Sequence, residues 1–294
     1  MSTQESPGED PELAFHRASP LTRRRSLPIG VFDSGVGGLT VLRALRQRLP
    51  DESFIYLGDT ARLPYGTKSG ASVLRYSTQA TQFLVGRGIK YLVIACNTAS
   101  SVAVEDLRER FAPIPVIGVI EPGAAAGCAA SRSGHIAVIA TEGTVQGGAY
   151  QRAIARIRPD ATVTAQACSL FVSLAEEGWT EGPIVEAVVH RYLDGIFRER
   201  GAIDTLLLGC THFPVLHEAL RKVVKSGVTI VDSAQTTAVA LAADLVGKSL
   251  DTNLSQSRMS LLATDSPQRF ARVGSGFLGE SFTPDQVELV DLAL

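Results

Sequence analysis

Two cysteines hold positions from which they could do chemistry on one ligand. Cys96 follows the apolar run 91–95, and Cys210 follows the run 206–209. Short apolar runs of this kind predict buried strands, so each thiol stands at the carboxyl end of a strand. Open parallel sheets bind their ligands beyond the carboxyl ends of the strands. We therefore expect the two thiols to face one ligand, one from each side.

Two facing thiols can invert a carbon that carries a hydrogen. One thiolate removes the proton from one face, and the other thiol delivers a proton to the opposite face. A free thiol has a pKa near about 8.5, and a helix N-terminus can lower it to roughly 3.5–7.5, so one thiolate and one thiol can coexist. The polar neighbours of the sulfurs can bind a carboxylate or an ammonium group, or cap the next helix. They are Asn97, Thr98 and Thr211.

Other chemistry of cysteine fits the sequence less well. Cys128 and Cys168 lie in Ala-rich stretches without polar neighbours at a strand end, so we expect inert buried side chains. Four Cys and five His without C-x-x-C or H-x-x-x-H spacing argue against a zinc site. A pyridoxal enzyme would need a lysine at the carboxyl end of a strand, and none of the lysines is placed there. A thiol hydrolase with His212 as its base stays open as an alternative.

The elements that would position the thiols alternate between strand and helix. A strand at 29–32 leads into the glycine-rich turn 33–38 and then into a helix with one apolar face. Asp33 and Ser34 stand at the end of this strand, where backbone amides can bind an anion. Helix capping alone is an alternative, and the turn lacks the G-x-G-x-x-G spacing of a dinucleotide site. The alternation predicts an α/β fold with mostly parallel sheets flanked by helices.

The order of elements restarts near residue 136, which indicates two similar domains related by a pseudo-two-fold duplication. The second series follows the first by 107 residues at its first strand and by 114 residues at the cysteines. We expect the active site in the cleft between the domains. The stretch 1–27, rich in Ser, Pro, Glu and Arg, is expected to be a disordered tail that is dispensable for folding. The first domain would span 28–121 plus 233–294, and the second 122–232.

Composition argues against several classes of protein. The 28 basic and 30 acidic residues leave a formal net charge of −2, which gives no basic field for nucleic acid. No apolar run approaches the roughly 20 residues of a membrane helix. Four cysteines without a secretory leader predict reduced thiols. We therefore expect a cytoplasmic protein without a nucleic-acid or membrane partner.

As a set, the motifs of this chain resemble those of glutamate racemase, in the aspartate/glutamate racemase superfamily. From residue 28 onward they read D-S-G-V-G-G-L-T, G-D-T-A-R-L-P-Y-G, A-C-N-T-A-S, G-V-I-E-P-G and L-G-C-T-H-F-P. The resemblance implies interconversion of L- and D-glutamate without a cofactor, in the service of peptidoglycan synthesis. It also implies a homodimer.

The resemblance implies roles for residues at the matching positions. Cys96 would take the α-proton from D-glutamate, and Cys210 would take it from L-glutamate. Asp33 would tune Cys96, whereas His212 and Glu176 would tune Cys210. The implied substrate contacts are Asp33, Ser34, Tyr65, Gly66, Asn97, Thr98, Thr144, Thr211 and His212.

Two positions depart from the family pattern. Ser173 stands where the family usually has proline, so a solvated helix carboxylate is an alternative reading of Glu176. Gly147 stands where a serine is common, which removes a possible hydroxyl contact.

Two other functions stay open. One is an aspartate racemase of the same superfamily, and the other is a non-catalytic amino-acid-binding module that leaves the α-hydrogen in place.

Overall fold

The computed structural model describes residues 20–199, 203–252 and 257–292, and its strands form two parallel sheets. The strands of these residues are β1 (Ile29–Asp33), β2 (Phe54–Gly58), β3 (Tyr91–Ile94), β4 (Val116–Gly118), β5 (His135–Ala140), β6 (Thr162–Ala167), β7 (Thr205–Gly209), β8 (Thr229–Asp232), β9 (Met259–Ala263) and β10 (Val287–Leu289). The first sheet has the order β10-β9-β2-β1-β3-β4, and the second has the order β6-β5-β7-β8.

Helices cover both sheets, which confirms the expected α/β class. In the described residues they are α1 (Pro20–Arg25), α2 (Leu39–Arg48), α3 (Gly70–Gly86), α4 (Asn97–Arg110), α5 (Ile120–Ala130), α6 (Glu142–Gly147), α7 (Ala149–Ile157), α8 (Leu170–Glu176), α9 (Pro183–Glu199), α10 (His217–Val223), α11 (Ser233–Gly247) and α12 (Pro267–Leu278). Short 3₁₀ turns lie at Thr60–Arg62, Tyr65–Thr67, Phe213–Leu216 and Pro284–Gln286.

The two cysteine-bearing strands take equivalent places in the two sheets. β3 lies between β1 and β4, and β7 lies between β5 and β8. Every residue of β3 and of β7 is buried, because a parallel sheet with helices on both faces has no solvated side. The ends of these strands therefore have fixed positions, from which the following side chains project.

The chain builds most of the first sheet, then the whole second sheet, and then returns to the first. We call residues 20–118 and 233–292 the first lobe and residues 119–232 the second lobe, as far as the structure describes them. After the return, β9 pairs in parallel with β2, and β10 pairs with β9. The domain boundary expected after residue 121 falls inside α5, and the one expected after residue 232 falls at the start of α11.

The prediction of a disordered tail over residues 1–27 is wrong for the last part of that stretch. Its residues 1–19 lie outside the described residues, but residues 20–25 form α1. The backbone carbonyl of Arg25 accepts a hydrogen bond from the Lys90 ammonium at 2.6 Å. A buried ammonium needs acceptors for its protons, and this segment supplies one of them.

The other acceptors of Lys90 are Glu52 Oε2 at 2.5 Å and the Leu250 carbonyl at 2.8 Å. Arg25 also donates from Nε to the Asp251 carbonyl at 2.7 Å. This polar cluster lies at the amino end of β3, the end opposite to Cys96. It joins the N-terminal helix to the chain that follows α11.

Among the described residues, none of the helices combines the length and the apolar character that a membrane crossing needs.

Candidate active site

A cavity of about 180 Å³ lies between the two lobes, at the carboxyl ends of β3 and β7. Both cysteines line it, so the structure brings the two thiols to one space. The other residues of its wall that the sequence singled out are Ser34, Tyr65, Gly66, Asn97, Thr98, Thr211 and His212. Asp33, Thr144 and Glu176 are not part of this wall.

Cys96 lies at the first turn of α4, with a buried carboxylic acid near it. Its sulfur accepts a hydrogen bond from the Ala99 amide at 3.5 Å and donates to the Ser34 hydroxyl at 3.5 Å. Burial, and after it the charge of Asp33, raise the pKa of the Cys96 thiol to about 12, although hydrogen bonds with Ser34 and Ala99 oppose the shift. The helix N-terminus alone does not make this sulfur a thiolate, because its desolvation costs more.

Asp33 is 1% exposed, and only one of its oxygens has a hydrogen-bond partner among the described residues. Oδ2 accepts from the Gly35 amide at 2.9 Å and from the Tyr56 hydroxyl at 3.3 Å. Burial raises the pKa of Asp33, although His212 and backbone amides oppose the shift. This carboxylate is therefore a stronger base than an exposed aspartate.

Cys210 has an imidazole beside it and a carboxylate behind the imidazole. His212 Nδ1 lies 3.8 Å from the sulfur, and His212 Nε2 lies 3.1 Å from Glu176 Oε1. Burial lowers the pKa of His212, but the contacts with Cys210 and Glu176 outweigh burial and raise it to about 10. Burial raises the pKa of Glu176, but hydrogen bonds and charges from His212 and Arg269 lower it overall. The imidazole is thus an imidazolium at neutral pH.

Asn97 fastens the two cysteine segments to each other. With its amide oriented so that both ends have partners, its nitrogen donates to the Gly209 carbonyl at 3.3 Å and to the Tyr150 hydroxyl at 2.7 Å. Its oxygen accepts from the Thr211 amide at 3.3 Å. The residue after one thiol therefore binds the residues on both sides of the other thiol.

Three threonine hydroxyls form a cluster at the wall of the cavity. Thr141 lies 3.1 Å from Thr98 and 3.1 Å from Thr144, and the Thr98 and Thr144 oxygens are 3.4 Å apart. Thr141 lines the cavity, whereas Thr144 stands behind it. A Cβ atom at Gly66 would lie 3.1 Å from Thr141, so the backbone there approaches the second lobe closely.

The phenol of Tyr65 is turned away from the role that the sequence suggested. The family resemblance implies Tyr65 as a substrate contact, but the Tyr65 hydroxyl donates to Asp59. The ring is 1% exposed and lies at the cavity wall. Tyr65 therefore contributes its ring to the cavity wall, and Gly66 beside it contributes a backbone amide.

Other predicted features lie as follows. Glu176 is bound to His212 and Arg269, so it is not a solvated helix carboxylate. Ser173 lines the cavity, and Gly147 does not. Among the described residues, no three His, Cys, Asp or Glu side chains converge in a way that could hold a metal ion.

Sequence reasoning missed several residues of the site. Thr141 directly follows β5, and Asp33 is the last residue of β1, so the strand-end rule that selected Asp33 could also have selected Thr141. Tyr56, Tyr150 and Arg269 gave no signal, because each contacts a site residue from a distant element. The further wall residues are Pro64, Thr67, Thr141, Ser169, Val172 and Ser173.

Comparison with known proteins agrees with this geometry. The family model described as Asp/Glu/Hydantoin racemase matches residues 37–241. A glutamate racemase of Geobacter metallireducens is 51% identical over 252 residues, which cover 85% of this chain and 92% of that relative.

Solved structures of similar shape carry the same description. A glutamate racemase isoform from Bacillus anthracis has a TM-score of 0.86 and 36% identity, over 91% of this chain and 98% of that one. The glutamate racemase from Francisella tularensis in complex with D-glutamate has a TM-score of 0.84 and 37% identity, with the same coverage of both chains.

Proposed function

Because the chain belongs to the Asp/Glu/Hydantoin racemase family and is an amino-acid racemase of the glutamate racemase type, we propose that Cys96 and Cys210 interconvert L- and D-glutamate without a cofactor. The observation that carries this mechanism is the placement of both thiols at one cavity, at the ends of equivalent strands. Two thiols on opposite walls supply the base and the acid that inversion at carbon requires.

In the direction from L- to D-glutamate, the Cys210 sulfur takes the α-proton. The C–H bond breaks, its electron pair stays on carbon, and a new S–H bond forms. The His212 imidazolium, 3.8 Å from the sulfur, stabilises negative charge on that sulfur. Cys96, whose pKa is raised to about 12 by burial, is a neutral thiol and donates its proton to the opposite face.

In the reverse direction, Cys96 must first lose its proton. Asp33 is the group that we propose as the acceptor, because burial raises its pKa and Oδ1 has no other partner among the described residues. The His212 imidazolium, which contacts the Cys210 sulfur, gives that sulfur its proton and makes it a thiol. The Cys96 thiolate then takes the α-proton of D-glutamate, and the Cys210 thiol delivers its proton on the other face. Exchange with solvent returns the proton held by Asp33 to His212, which Glu176 keeps in place.

The remaining polar groups of the wall bind the two carboxylates and the ammonium group of the substrate. We assign this role to Ser34, Gly66, Asn97, Thr98 and Thr211, and Thr144 acts through Thr98 and Thr141. We further propose, from the family resemblance, that the protein is a cytoplasmic homodimer whose D-glutamate supplies peptidoglycan synthesis. Light scattering of the purified protein tests the dimer.

The test of the activity is circular dichroism of L-glutamate incubated with the purified protein, a chelator and no added cofactor. The signal should decay to zero as the racemate forms, and D-glutamate should give the mirror-image decay. The same assay with L-aspartate separates the aspartate alternative. An unchanged signal, or a decay that appears only after a metal or pyridoxal phosphate is added, would overturn the proposal.

A further inference from the structure

Arg269 contacts the candidate active site from the opposite lobe. It lies in the first turn of α12, which packs in the core of the first lobe. Its guanidinium donates to Glu176 Oε2 at 2.7 Å, and Glu176 belongs to α8 of the second lobe. From the same helix, Phe277 packs edge-on against the His212 ring, with centroids 5.1 Å apart. One helix of the first lobe thus contacts both groups behind Cys210.

The carboxylate of Glu176 needs such a partner to stay in place. Glu176 is the last residue of α8, and a negative charge at a helix C-terminus is electrostatically unfavourable. Its side chain is 17% exposed, so an oxygen without a protein partner would turn toward water. Arg269 binds Oε2 and leaves Oε1 for His212. The two carboxylate oxygens therefore have one partner each, and their directions are fixed.

The ion pair between Arg269 and Glu176 contributes little to the free energy of folding. The Arg269 side chain is 47% exposed, and ion pairs in contact with water contribute little to folding. Its geometric effect is larger, because it ends a chain of contacts that runs through Glu176 and His212 to the Cys210 sulfur. This series of contacts is complete only when α12 of the first lobe lies against α8 of the second.

We propose that Arg269 is a positioning residue for racemisation, which holds Glu176 toward His212 and makes the Cys210 side of the site depend on closure of the two lobes. The inference rests on the proposed function, since it concerns the thiol that takes the proton of L-glutamate. Arg269 does not touch the cavity that would hold the substrate.

The main test compares Arg269→Gln with Arg272→Gln. Arg272 lies one turn further along α12, is exposed, and forms no ion pair with any of the described residues. The charged groups around Glu176 are His212, Arg269, the neighbouring Glu177, and Arg272 in the small pocket beside it. We expect kcat to fall about tenfold in Arg269→Gln and to stay near wild type in Arg272→Gln. Arg269→Lys should restore part of the rate.

The pH profile separates positioning from a merely structural role. Without the Arg269 cation the pKa of Glu176 rises, so its carboxylate is protonated at a higher pH. The acid limb of the rate profile should therefore move to higher pH in Arg269→Gln and not in Arg272→Gln.

Isotope effects identify the affected side. The two enantiomers have equal free energy in solution, so kcat/KM must change by the same factor for both substrates. A defect in only one of the two proton transfers is therefore detected by the kinetic isotope effect. Arg269→Gln should increase the kinetic isotope effect with α-deuterated L-glutamate and leave that with α-deuterated D-glutamate unchanged. A variant that matches Arg272→Gln, or that is slower with an unmoved acid limb and unmoved isotope effects, overturns the proposal. A wild-type protein that does not racemise glutamate overturns the proposed function instead.

Discussion

Cys96 and Cys210 follow equivalent strands of two similar sheets, but different groups surround the two sulfurs. A shift of 114 residues relates Cys96 to Cys210 and also Thr98 to His212. The first sheet thus places a hydroxyl two residues after its thiol, and the second sheet places an imidazole there. The equivalent strands determine where the thiols lie, whereas the charged group near each thiol differs: it is Asp33 for Cys96 and His212 for Cys210.

This difference fits the opposite roles that we propose for the two sulfurs. Burial and Asp33 keep Cys96 protonated, because they raise the pKa of its thiol to about 12. The imidazolium of His212 favours a negative sulfur at Cys210 by its charge. In the mechanism that we propose, Cys96 is therefore the acid and Cys210 is the base when L-glutamate reacts.

The largest expected effect comes from removing either thiol. Cys96→Ser and Cys210→Ser should each slow racemisation in both directions by about a thousandfold, because a hydroxyl is far too weakly acidic to replace a thiol. Circular dichroism measures the rates. Cys128→Ser and Cys168→Ser are the matched controls, and they should keep most of the activity.

Exchange with heavy water should distinguish the two serine variants. Cys96→Ser retains Cys210, so it should still exchange the α-hydrogen of L-glutamate while inverting little of it. Cys210→Ser should do the same with D-glutamate. Mass spectrometry of each enantiomer measures the uptake of deuterium. Near-wild-type racemisation by either variant would remove that cysteine from the mechanism.

A smaller effect is expected from removing His212, the imidazole that lies beside Cys210 and has no counterpart beside Cys96. His212→Asn should lower kcat about a hundredfold, because the Cys210 sulfur loses its neighbouring cation. The pKa of His212 is raised to about 10, so the imidazolium loses its proton as the pH rises through that value. Wild-type activity should therefore fall on the alkaline side near this pH, and the variant should lack this limb.

His217→Asn is the control for this variant, since the His217 side chain is 47% exposed and the substitution is chemically the same. If both histidine variants behave alike, the imidazole does not set the difference between the thiols.

The smallest effect concerns the amino ends of the same strands. The shift of 114 residues also relates Lys90, which is buried, to Asp204, which binds the backbone of residues 132 and 133. Removing residues 1–25 takes away one acceptor of Lys90, a loss of about 1–3 kcal/mol. The melting temperature should fall by several degrees, at about 2–4 °C per kcal/mol.

Removing residues 1–19 is the matched truncation, and it should leave the melting temperature nearly unchanged. Racemisation at low temperature should be normal in both truncated proteins, because Lys90 lies at the end of β3 opposite to Cys96. Equal melting temperatures would show that α1 contributes nothing to the fold.

The sequence was sufficient for the fold and for the placement of both thiols. Parallel strands covered on both faces are continuous apolar runs, so their ends can be located by reading along the chain. The turn at Asp33 and the segments after Cys96 and Cys210 were found in this way. Their catalytic and binding roles remain predictions.

The parts that could not be predicted depend on contacts between distant residues. α1 carries no apolar periodicity, and it is held by an ammonium far along the chain. Arg269 is 93 residues from the carboxylate that it binds, and no local pattern relates them. Thr144 was expected to contact the ligand, but Thr141 from the preceding turn stands in front of it. Such an arrangement is decided by the path of the backbone.

The insertion of the second sheet into the first has a consequence for synthesis of the protein. Residues leave the ribosome in sequence order, so the second sheet is complete before β9 and β10 exist. The first sheet therefore still lacks β9 and β10 at a time when both cysteines have already left the ribosome. Arg269 and Phe277 emerge later than any other group of the site. A nascent chain thus carries both sulfurs, His212 and Glu176 before α12 can contact them, and the contacts of Arg269 and Phe277 form only after α12 has emerged.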